Sequence, residues 1–189
     1  MPRIQVTPPP PEHSSHPQLV GDLRRELADS REFGQPLIIE EPFARTEERR
    51  VTVVWDRFAR LDHEERTLVI LDAYDQDQQG ALPRIAVALG YTFPEGEDEG
   101  VLPYEVAPNL RTGDVVTADE CYQAMIQLGA STLRDPRRPS LSLPTAEVAN
   151  KYIQRLIEIL PKSREVWSIY ARLRATSALT FSSAAEISG

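Results

Sequence analysis

Few stretches of this chain combine the residue types and spacings that chemistry demands. The run Asp75-Gln76-Asp77-Gln78-Gln79-Gly80 sets oxygen-bearing side chains at alternate positions ahead of a glycine, as a calcium loop opens. Such a loop closes with a bidentate carboxylate at its twelfth position, which here is Ala86. His63-Glu64-Glu65-Arg66 starts like a zinc-protease helix, but no second histidine follows one helical turn on, and the cationic Arg66 cannot ligate a metal. Cys121 shares an apolar helical face with Ala124, Met125 and Leu128, with no histidine near it in sequence. It reads as a small buried hydrophobe, not a nucleophile. The other histidines, His13 and His16, sit in a leader, and no glycine-rich phosphate loop, nucleophile elbow or dinucleotide fingerprint occurs. No catalytic residue, metal ligand or cofactor is therefore assigned. The reading leans away from an enzyme, with a carboxylate pair brought together by the fold as the one route to a site of unknown reaction.

Cations offer a different chemistry. Arg134, Arg137 and Arg138 cluster in the proline-punctuated RDPRRPSLSLP, where planar guanidinium groups could grip a carboxylate or phosphate. The chain carries 21 Lys and Arg against 29 Asp and Glu, net −8, which disfavours nonspecific nucleic-acid binding. The charges are segregated: residues 18–95 hold 10 cations against 16 anions, Glu95 to Glu99 adds acid, and residues 134–174 hold 9 cations against 4 anions. Such complementary ends suit docking within one molecule, self-association or a basic binding face. Arg134, Arg137, Arg138, Lys151 and Arg155 are the expected surface, with Trp167 as a partly exposed anchor because it lies one position off the Val166, Ile169, Tyr170 and Leu173 stripe.

The elements that would position these residues follow from periodicity. Residues 1–17 read as a disordered proline-rich tail and 176–189 as a flexible one. Leu19, Val20, Leu23 and Leu27 share a helical face. PLIIEEPF and RRVTVVWDRF predict two strands around a charged turn, and Asp62 with Glu65 caps a helix through ERTLVILDAY. Leu37, Ile39, Val51, Val53, Leu68 and Leu71 are the expected core of this part. RIAVALGYTF suits a third strand better than a helix, and FPEGEDEGVLP reads as a loop by composition. Residues 96–116 form an acidic, irregular linker. Thr117 with Glu120 caps a helix, and two more, Thr145 to Leu160 and Ser163 to Leu173, predict a helical hairpin within a helical segment over 117–175.

The order helix, strand, strand, helix, strand over 18–95 reaches VTVVWDRFARLDHEERTLVILDAY, which resembles the strand and helix of BolA-like proteins. The matching positions are Asp56, Phe58, Leu61, Glu65, Arg66 and Ala73, and IAVALGYTFPE looks like the family's last strand with its Thr-Pro exit. The resemblance implies a small α-β-β-α-β domain of α+β class, with the KH type II topology. Family histidines tied to iron–sulfur or glutaredoxin partnership fall on Pro83 or Arg84 and on Thr67, and the GxxG turn of KH domains is absent near Asp62. With no apolar run long enough to span a membrane, no apolar signal-peptide centre and one unpaired cysteine, the expectation is a cytoplasmic, non-catalytic protein-interaction or adaptor module. Its partner would be a protein, including a second copy. The alternatives are a nucleic-acid-associated or BolA-type regulator and a carboxylate-based enzyme.

Overall fold

A computed structural model of the chain describes residues 13–29, 33–77, 84–130, 133 and 135–172. The order is helix α1 (Pro17–Leu27), strands β1 (Leu37–Pro42) and β2 (Arg49–Val54), a 3-10 turn at Asp56–Arg60, and helix α2 (His63–Asp77). Strand β3 (Ile85–Tyr91), helix α3 (Phe93–Asp98), strand β4 (Tyr104–Pro108) and helix α4 (Ala118–Gln127) follow. Strand β5 (Leu141–Leu143), helix α5 (Ala146–Ile159), a 3-10 turn at Pro161–Ser163 and strand β6 (Trp167–Ala171) complete it. Two three-stranded sheets result, ordered β1-β2-β3 and β5-β4-β6. The fold is thus mixed α+β, and no described helix is long and apolar enough to cross a membrane.

In the first sheet β1 and β2 form an antiparallel hairpin, closed by the Phe43 N–H to Glu48 carbonyl bond, and β3 joins β2 in parallel after the α2 crossover. Central β2 is buried from Val51 to Val54, so both of its faces are covered. Val51 and Val53 meet α1 and α2 through Val20, Leu23, Val69, Ile70, Ala73 and Tyr74, whereas Val54 belongs to a second core. The buried face of α2 is therefore Val69, Ile70, Ala73 and Tyr74. Leu68 and Leu71 are only half-buried, one step out of phase with expectation, as are Leu37 and Ile39 on β1. The expected Asp62–Glu65 box is formed, each backbone N–H reaching the other's carboxylate at 2.9–3.0 Å. The segment before α1 is tied to α2, with His13 Nδ1 3.0 Å from Asp72 and His16 Nε2 3.3 Å from Glu65. The proline run, Gln78 to Pro83 and residues 173–189 lie outside the described residues.

Three expectations are overturned. FPEGED is a helix, because Thr92 and Glu95 form a reciprocal capping box ahead of Pro94, which is tolerated in a first turn. LSL, part of the proline-punctuated run within the expected helical segment, is a strand and pairs with β4. The predicted helix Ser163 to Leu173 is replaced by a 3-10 turn and strand β6, which pairs with β4 from Ala171 opposite Tyr104 to Trp167 opposite Pro108. The C-terminal part is therefore a small sheet packed on α5, not a helical hairpin. Its core joins Val106, Leu141 and Leu143 to Ala149, Tyr152 and Leu156.

Candidate functional site

Strand β4 pairs on one side with β5, through Tyr104 with Leu143, Glu105 with Ser142 and Val106 with Leu141. Continuing that register would bring Pro108 opposite Pro139. Neither ring nitrogen can donate, so the ladder stops there while β4 keeps its pairing with β6. Where the two chains part, a groove of about 570 Å³ opens, with Ala107 and the two prolines as floor and Arg137, Arg138 and Tyr170 around it. Asp135 builds the turn that carries the arginines: its carboxylate accepts the Arg137 N–H at 2.9 Å and its carbonyl the Arg138 N–H at 3.1 Å. Among the described residues neither guanidinium has an ion-pair partner.

Strand alternation fixes which side of the second sheet this is. Val106, Leu141, Leu143 and Ile169 face the core beneath α5, so Glu105, Ala107 and Tyr170 face the other way. Tyr170 is 46% exposed. Glu105 meets Arg172 at 3.2 Å, Arg172 also meets Glu97 at 3.0 Å, and Glu97 accepts the Ser142 hydroxyl at 2.6 Å. Of the acidic 95–99 stretch, Glu95 is held by Arg66 and Glu97 by Arg172, so part of the charge segregation is spent inside the molecule.

The structure brings together only some of the expected surface residues. Arg137 and Arg138 line the groove. Lys151 and Arg155 are exposed on α5, whose inner face covers the opposite side of the sheet, and Arg155 bonds Glu158 at 2.9 Å. Arg134 lies outside the described residues. Trp167 is half-buried: its ring packs against the second core and its indole N–H donates to Ser163 Oγ at 2.7 Å. Tyr170, which helical spacing had turned inward, is the exposed aromatic. Its position follows from the strand period of two, a signal that the five residues from Val166 to Tyr170 cannot separate from a helical repeat.

The other candidate chemistries are placed as follows. Cys121 is fully buried, and burial pushes its thiol up to about 11. Among the described residues no three His, Cys, Asp or Glu side chains are grouped to hold a metal. Arg66, 4% exposed, donates to the carbonyls of Phe58, Leu61 and Gly90 and to both oxygens of Glu95. Its partners are internal, which marks it as a structural hub. Comparison with protein-family models, with curated proteins and with solved structures returns no match.

Proposed function

We propose that this chain is a non-catalytic interaction module, working in a reducing compartment such as the cytoplasm, that takes an acidic segment of a partner protein into the groove beside β4. One observation carries the reading: two adjacent, uncommitted guanidinium groups stand over an open groove that also holds an exposed tyrosine. Arginine forks match carboxylate geometry, and a rigid aromatic beside them supplies contact area at low entropic cost. A protein segment suits the groove better than a nucleic-acid strand, because two guanidinium groups beside one tyrosine match a short acidic stretch, whereas a strand needs a longer run of cations to neutralise successive phosphates. For the first half we propose the BolA-like, KH type II arrangement. The antiparallel β1-β2 pair, the α2 crossover and the parallel β2-β3 pair support it.

Fluorescence anisotropy with a labelled Asp- and Glu-rich peptide, a basic peptide and a single-stranded oligonucleotide tests the proposal. The acidic peptide should bind with salt-dependent affinity, and Arg137→Glu with Arg138→Glu should weaken it by about tenfold or more. Unchanged peptide binding by the double variant would end the proposal, and preferential oligonucleotide binding would transfer the groove to the regulator reading.

A further inference from the structure

A second cleft, of about 390 Å³, lies between the first sheet and the loop residues that flank β4 and β5. Its floor follows from the cross-strand register of the first sheet, read in rows on the face turned away from α1 and α2. The innermost row, Leu37, Val54 and Tyr91, packs against the second core. The next, Ile39, Thr52 and Leu89, is the cleft floor, and Glu41 and Arg50 of the outermost row begin its lip. Val101, Pro103 and Pro144 form the opposite wall, with Glu99 and Gly100 beside them. The surface thus grades from apolar through a single hydroxyl to charged within three rows.

Two polar groups that line this cleft are open to a ligand. Thr52 is 4% exposed, yet its hydroxyl makes no hydrogen bond among the described residues. The hydroxyl faces the cleft, where a ligand acceptor could take the place of water. Arg50 meets Glu41 at only 3.7 Å, well beyond the 2.7–2.9 Å of a good charge-assisted bond, and both side chains are about half exposed. An anionic head group that reaches Arg50 closely would outcompete this loose contact.

We propose that the cleft is a binding site for a small apolar monocarboxylate. The hydrocarbon part lies between Ile39 and Leu89 on one side and Val101, Pro103 and Pro144 on the other. The carboxylate meets Arg50 and accepts the Thr52 hydroxyl hydrogen. The volume falls within the roughly 300–1,000 Å³ of small-molecule pockets, and clefts between packed units are preferred places for them. The site is separate from the arginine groove, so the two readings stand or fall independently.

Titration calorimetry with hexanoate on the full chain, with hexanol and hexylamine as matched probes, provides the test. Hexanoate should bind saturably, with both other probes at least tenfold weaker. Thr52→Val, which keeps the shape and removes the hydroxyl, should weaken hexanoate several-fold. Arg50→Gln, at an exposed position that leaves the core untouched, should weaken it about tenfold and erase the preference over hexanol. Absence of saturable hexanoate binding would overturn the proposal. So would hexanol or hexylamine binding as tightly as hexanoate, or full affinity retained in Arg50→Gln.

Discussion

Arg66 shows how one side chain can join elements far apart in sequence. It accompanies Glu65 in the first turn of α2, where a cation looks like ordinary surface, yet it is almost fully buried. Its guanidinium satisfies the carbonyls that end the 3-10 turn and β3, then anchors Glu95, which itself caps α3. Gly90 permits this approach, because a Cβ there would lie 2.7 Å from the Arg66 Cβ. The Arg66 guanidinium, helped by the Thr92 N–H and hydroxyl, lowers the Glu95 carboxyl to about 2 against the opposing effect of burial. Since the folded value is depressed, the stabilisation is complete above the ordinary value of 4.5 and is lost as pH falls toward 2. Urea melts should accordingly find Glu95→Gln less stable than the parent at pH 6, with the difference closing by pH 2. Arg66→Met should cost about 3 kcal/mol or more, because three carbonyls and a carboxylate lose their donor together. A loss below about 1 kcal/mol would contradict this role. The sequence shows Arg66 only as a matching position in a resemblance, since burial of a charge depends on carbonyls and a carboxylate that the fold brings from 5 to 29 residues away.

At the scale of elements, local signals with a stereochemical basis were legible and composition was not. The capping boxes at Asp62 and Thr117 mark true helix starts. Thr92 with Glu95 carries the same pattern, hidden behind glycine and acid residues that suggest a loop. Short apolar stripes are ambiguous in phase and in period: α2 is apolar on more than half its circumference, and Val166 to Leu173 fits both repeats. What settles α2 is the sheet beneath it, which takes Ile70 at 0% exposure and leaves Leu71 half-buried. Ile70→Ala should therefore cost about 2–5 kcal/mol in chemical denaturation, and Leu71→Ala distinctly less. Equal losses would restore the phase that periodicity alone predicts. The arginine groove was legible as a basic cluster. Its opening was not, because it depends on two prolines 31 positions apart meeting across a register, Pro108 and Pro139.

For the whole molecule, the sequence suggests a first domain over 18–95 and a separate segment after a linker, but the packing runs across that division. Val54 of the first sheet and Phe93 of α3 lie in one core with Val106, Met125, Leu143, Tyr152 and Leu156, and Leu37 and Tyr91 pack on its edge. The Arg172–Glu97 ion pair and the Ser142–Glu97 hydrogen bond tie the second sheet to α3 as well. A shared apolar core makes the free energy of each half depend on the other, whereas two domains joined only by a linker would melt separately. The chain supplies its own probes, since it has two tryptophans: Trp55 in the first core and Trp167 against the second. In Trp55→Phe and Trp167→Phe variants, the remaining tryptophan should report unfolding midpoints that shift in parallel when Val54→Ala is added to each. That substitution should cost about 1–3 kcal/mol, because it empties volume at the junction that both halves line. If Val54→Ala moves only the Trp55 transition and leaves the Trp167 transition in place, the halves are independent domains and the junction is a mere contact. If both move together, the two sheets fold as one cooperative unit, and the cleft on the face of the first sheet is held open by the same core that closes over Val54.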